Sequence, residues 1–226
     1  MYDFVRGPFL WISAVIFIAG FVYRAIRLVL LTDKKTVMFS SQTTSPIGKL
    51  VSLRSEEERK LDRIARIKNS VFVQHPVMSL VSVVFHFCLF VTPLFLLAHN
   101  SMIESAFGIM PPSLPEGLTD LMTIIVLACG LFFLIRRIAV PKVAAISSGY
   151  DYIVLLITIL PYLTGFLAYH QLFTYKIMMT LHIFAGEIML IALPFTKIGH
   201  MVFFFFSRLA LEGEYCLGRG RRTWSN

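Results

Sequence analysis

Charged residues in this chain fall in clusters, and between the clusters the sequence runs apolar for about twenty residues at a time. Five such stretches occur: Phe9 to Leu31, Val71 to Ala98, Leu118 to Ile135, Tyr150 to Tyr169 and Ile177 to Phe206. A helix rising about 1.5 Å per residue needs about 20 residues to cross about 30 Å of hydrocarbon. Lipid offers no partner to an open backbone amide, so each crossing segment must be a helix. The pattern predicts an all-α integral membrane protein, a five-transmembrane-helix bundle forming one domain over residues 1–226. The first stretch ends in Arg24 and Arg27 rather than at a small-residue cleavage site, and it reads as a mature helix.

The long segment of about 32–70 between the first two spans holds Ser55-Glu-Glu-Glu58, a helix start with acids in its first turn, followed by Arg59 to Lys68. Leu61, Ile64 and Ile67 share one face there, predicting a short amphipathic helix against the membrane or a cytoplasmic partner, or a solvated charged helix. The segment from His99 to Gly117, with Glu104, Pro111-Pro112 and Pro115-Glu116-Gly117, is acidic and turn-rich and is expected to fold over the outer mouth as a loop.

Composition agrees with the pattern. Hydrophobic residues make up 57% and charged residues 15%, with mean hydropathy +0.75, against about 45–50% and about 25% in soluble domains. The net charge of +8 arises at the ends of apolar segments, where Lys and Arg meet anionic lipid head groups; nucleic acid is not an expected partner. Cys88, Cys129 and Cys216 are too sparse for a disulfide framework. Of the 21 Lys and Arg residues, only Arg6 and Lys176 fall on one side of the five-span arrangement. Cytoplasmic loops retain positive charge, so the N-terminus is expected outside and the C-terminus in the cytoplasm, in a prokaryotic cytoplasmic membrane.

Chemistry concentrates in six histidines, because ionisable residues within spans usually mark sites. His75 and His86 lie 11 residues apart on the second stretch and His182 and His200 lie 18 apart on the fifth; at about 100° per residue each pair falls on one helix face. The two spans run in opposite directions, so His86 is expected to meet His182 in the outer half and His75 to meet His200 in the inner half. Paired imidazoles on facing helices can ligate two b-type haem irons. Bends at Pro76, Pro93 or Pro194 must absorb the unequal spacings. With both axial positions filled, electron transfer is the expected role. His99, His170 and Glu187 are candidates for proton relay or a quinone site, His99 and His170 at outer helix ends and Glu187 within the fifth span. Interface exposure would equally explain His99 and His170, and a helix-helix hydrogen bond would explain Glu187. No Cys-x-x-Cys-His, P-loop, dinucleotide or Gly-x-Ser-x-Gly motif is present. The rival reading is a haem-free membrane anchor or transporter subunit.

The segment from His182 to His200, His-Ile-Phe-Ala-Gly-Glu-Ile-Met-Leu-Ile-Ala-Leu-Pro-Phe-Thr-Lys-Ile-Gly-His, resembles the last span of the gamma subunit of respiratory nitrate reductase, a di-haem cytochrome b. Arg136 to Asp151 is similar to that family's loop between spans three and four, and Phe85-His-Phe-Cys88 with Pro93 to its second span. The resemblance implies two haem b groups held by His86 with His182 and by His75 with His200, with quinol, possible menaquinone, oxidised near the outer haem. Glu187 and the lack of an external-loop lysine point to the branch found in sulfate-reducer and heterodisulfide-reductase-like complexes. Its implied partners are a cytoplasmic iron-sulfur subunit resembling the heterodisulfide reductase catalytic subunit and a periplasmic multihaem cytochrome c.

Overall fold

The computed structural model describes residues 2–32 and 71–200, and every regular element in those residues is helical. The predicted amphipathic segment of 32–70 lies outside the described residues apart from its first position, as do the end of the fifth stretch (201–206) and the basic C-terminus. Five helices are long and apolar enough to cross a membrane. We label α1 (Leu10–Thr32), which continues a helical lead-in from Tyr2 through a π-turn at Val5–Phe9, then α2 (Pro76–Phe95), α3 (Leu97–Phe107), α4 (Glu116–Ala139), α5 (Gly149–Tyr169) and α6 (Tyr175–Phe195). All but α3 are the spanning helices.

Two predicted boundaries are corrected. The second span does not run from Val71 to Ala98: a short turn, Val71–Gln74, precedes it, and α2 begins at Pro76. His75 is the residue ahead of a proline, which disfavours helical backbone; it sits at φ −134°, ψ 64°, off the helix. At the other end α2 stops at Phe95 because Leu96 turns extended (φ −70°, ψ 125°). The expected loop from His99 to Gly117 is therefore half helix, with α3 running to Phe107 and ending on Gly108 at φ 71°, a left-handed turn that favours glycine.

The described residues divide into two compact units, one holding 2–10 and 71–189 and the other 11–32 and 190–200. In the first, α4 packs between α2 and α5. Val126 is fully buried in its middle and Met122 nearly so. Gly130 lets α5 approach, since a Cβ there would lie 2.5 Å from Ile159 Cδ1. Phe85 on α2 meets Phe133 on α4 edge to face, with centroids 5.2 Å apart. Leu80, Val83, Phe87 and Leu94, spaced three to seven residues apart on α2, stay exposed, as expected of a lipid-facing stripe. In the second unit Gly20 carries the same close approach, since a Cβ there would fall 2.7 Å from Pro194.

Two local devices fix the connections. Ser148 and Asp151 form a reciprocal capping box that starts α5, with both the Ser148 N–H and its hydroxyl donating to Asp151 Oδ2 at 2.9 Å. On the segment after α3, Asn100 is 1% exposed and its Nδ2 donates to Pro112 O at 3.0 Å and Ser113 Oγ at 2.9 Å, tying the loop back onto the helix. Asn100→Ala leaves the Pro112 carbonyl without this donor and is expected to cost about 1–3 kcal/mol. A lowered unfolding midpoint in detergent, with faster proteolysis between Gly108 and Pro115, is the expected outcome; an unchanged midpoint would contradict the anchoring role.

Candidate functional site

Prolines inside helices create the site. Pro93 has no N–H and its ring displaces the carbonyl four residues back, so Leu89 O loses its intrahelical donor. Tyr162 on α5, 9% exposed, supplies one through its hydroxyl. The break at Leu96 then turns the helix axis, and Pro93 O is taken by Nδ1 of His99 at 3.0 Å. On α5 the carbonyl of Pro161 receives Nδ1 of His182 from α6 at 2.9 Å and the Thr164 hydroxyl at 3.2 Å.

The two imidazoles so fixed lie side by side. His99 and His182 have ring centroids 6.0 Å apart and planes within 20°. Since a carbonyl only accepts, Nδ1 of each ring carries the proton and Nε2 is left as the unprotonated nitrogen. Gly165 makes room for His182: a Cβ at that position would stand 2.9 Å from His182 Cε1 and 3.0 Å from Nδ1. Both rings are half-buried among α3, α5 and α6.

Among the described residues no three His, Cys, Asp or Glu side chains converge as in a protein-only metal centre. Were a haem bound here, His99 and His182, with near-parallel rings 6.0 Å apart and Nε2 unprotonated, would be the residues to hold it, and it would supply a one-electron couple.

The ring that meets His182 thus belongs to His99, whereas the sequence reading put His86 there. His86 sits on α2 before the break, its Nδ1 donating to Ser82 O at 2.7 Å and its ring edge-on to Phe85 at 5.4 Å. The face-sharing argument for His75 and His86 fails, because His75 is exposed and precedes the helix. That for His182 and His200 also fails, since α6 ends at Phe195 and a 3-10 turn, Lys197–Gly199, intervenes. His200 is exposed, with Nδ1 donating to Lys197 O at 2.6 Å. His170 lies at the end of α5, its Nε2 3.0 Å from Asp120 Oδ1 of α4 and its ring against Phe166. Nearby, the Tyr169 hydroxyl donates to Glu116 Oε2 at 3.4 Å. Glu187 is 1% exposed on α6, with neither carboxyl oxygen hydrogen-bonded among the described residues.

Tyr162 and Gly165 were not singled out from sequence. Pro93 four residues after Leu89, and Pro161 within the α5 stretch, were the available signals: each marks a helix whose carbonyl pattern is disturbed. Tyr162→Phe orphans the Leu89 carbonyl and should cost about 1–3 kcal/mol of stability, read as a lowered thermal midpoint. A midpoint equal to that of the native protein would show that Leu89 O needs no donor.

A curated protein of Nitratidesulfovibrio vulgaris, named only "Protein", is 33% identical to this chain over 223 residues, covering 99% of this chain and 97% of its own length. No family model matches. No solved structure matches. With identity at that level along essentially the whole of both sequences, the chain belongs to the same family as the Nitratidesulfovibrio vulgaris protein.

Proposed function

We propose that the protein is a membrane cytochrome b subunit similar to the gamma subunit of nitrate reductase, carrying two b haems with bis-His ligation. In this reading it moves electrons between the menaquinone pool or a periplasmic multihaem cytochrome c and a cytoplasmic iron-sulfur subunit resembling the heterodisulfide reductase catalytic subunit. The observation that carries it is the His99–His182 pair, 6.0 Å between ring centres with both Nδ1 atoms donated to backbone carbonyls.

The clustering of Lys and Arg supports an N-terminus outside and a C-terminus inside a prokaryotic cytoplasmic membrane. With that orientation the α3 end of the bundle, carrying His99, His170, Glu116 and Asp120, faces outward, and Arg136 and Arg137 at the end of α4 face the cytoplasm. A bound haem supplies a one-electron couple with no open coordination position. The chain's own residues do the rest. Pro93 O and Pro161 O hold the imidazoles in the ligating tautomer, Tyr162 steadies the break that brings His99 across, and Gly165 sets where the His182 ring lies. His99 thereby moves from the proton-relay candidates to the ligands. His86 and His200 each have Nδ1 held by a carbonyl of their own segment and are candidates for the second haem. His75 has no side-chain hydrogen bond among the described residues and lacks that preparation.

Purified protein is expected to show the reduced-minus-oxidised spectrum of low-spin b haem. His99→Ala and His182→Ala should each remove the same haem, and His86→Ala should spare it. A colourless native preparation would return the chain to the haem-free anchor or transporter reading. Loss of one common haem in His86→Ala and His182→Ala, with His99→Ala intact, would restore the pairing first expected.

Gly165→Ala should push the His182 ring from its notch while leaving both ligands in place. A shifted haem midpoint potential, or a changed low-spin electron paramagnetic resonance signal at retained protein yield, is the expected result. Native potential and signal would remove Gly165 from the site.

A further inference from the structure

Glu187 is the one carboxylate in the described part of a spanning helix interior, and its surroundings are unusual. It is 1% exposed and both oxygens lack a hydrogen-bond partner among the described residues. Buried polar groups are almost always paired, and a carboxyl acting as glue between helices needs an acceptor to donate to. None among the described residues is within reach of Glu187. A second orphan, the Thr92 hydroxyl, is 3% exposed on α2. By contrast Thr119, Thr123, Thr158, Thr164 and Thr180 all donate to a carbonyl of their own helix. Glu187 follows His182 by five residues and Thr92 precedes His99 by seven, so both orphans lie on the same side of the imidazole pair along the bundle.

We propose that Glu187 is the proton-binding residue of electron transfer at His99 and His182: it takes up a proton as an electron arrives there and gives the proton back as the electron leaves. This rests on the haem reading. On one uninterrupted helix, five residues separate the Cα atoms of His182 and Glu187 by roughly 9 Å. Across that distance in a water-poor interior, removing one positive charge from the ligated site shifts the balance at a carboxylate toward its neutral form. The balance is simple. The carboxylate and one proton from water become a carboxylic acid, while the electron, delivered by a quinol or by the iron-sulfur partner, reduces the iron.

Other titratable groups do not take this role. Within the same unit the other titratable residues away from the helix ends are His86, Cys88, Cys129, Tyr162 and His182, with His99 on α3, while the acids Glu104, Glu116, Asp120 and Asp151 lie on α3 or near the starts of α4 and α5. The three imidazoles and the phenol among these are all engaged with backbone carbonyls. The two thiols, Cys88 and Cys129, are free. Asp120, toward the far end of α4, is paired with His170.

The test is a redox titration of the purified holoprotein at several pH values, on the native chain and on Glu187→Gln with haem content measured in both. The native midpoint of the haem lost in His182→Ala should fall as pH rises, and the Glu187→Gln midpoint should be flat over the same range at equal haem content. Equal pH slopes in the two haem-loaded proteins overturn the proton role and leave the cytochrome reading standing. A native preparation without haem overturns both. Where the Gln variant does not assemble, redox-difference infrared spectra of the native protein in H2O and D2O decide: a protonated carboxyl band gained on reduction supports Glu187, and its absence refutes it.

Discussion

A carbonyl set free inside a membrane helix must find a donor, because neither lipid nor water at that depth supplies one. Pro93 frees the Leu89 carbonyl, the break at Leu96 frees that of Pro93, and the α5 backbone at Pro161 accepts side-chain donors as well. The donors recruited are Tyr162, His99 and His182. Satisfying the backbone therefore also orients the two imidazoles, and it does so through Nδ1, leaving Nε2 unprotonated. Helix breaking and site building are one event in this chain.

The same economy explains where small residues fall. Gly165 admits the His182 ring against α5, and Gly130 admits Ile159 against α4. Without a hydrophobic force to press helices together in lipid, close contact depends on such gaps and on polar bonds between helices. The polar side chains of the first unit divide accordingly. Asn100 and Tyr162 close backbone valences, the pair His170 and Asp120 joins two helix ends, and Glu187 and Thr92 stay without a partner among the described residues. Buried polar groups left unpaired are uncommon, and those inside spanning helices are the ones that folding alone does not explain.

Much of this was legible without coordinates. The apolar stretches located all five spanning helices. The choice of imidazoles was not so legible. Helix-face arithmetic assumes an unbroken helix, and two of the four histidines it used lie beyond a break, His75 ahead of Pro76 and His200 past Phe195, while His99, past Leu96, did not enter it. Of these only His75 carried its own warning, being the residue before a proline.

Hydrophobic pattern and charge clustering, which act residue by residue through transfer from water to lipid, determined from sequence alone that this is an all-helical protein with five helices able to cross a membrane. Only the tertiary structure decided that His99 stands beside His182, since that depends on a turn at Leu96 and on which backbone carbonyl each ring can reach. Local preference fixes where a helix can bend; the direction of the bend is set by the neighbours that satisfy it, and those come from segments far apart in the chain, such as Tyr162 against Leu89.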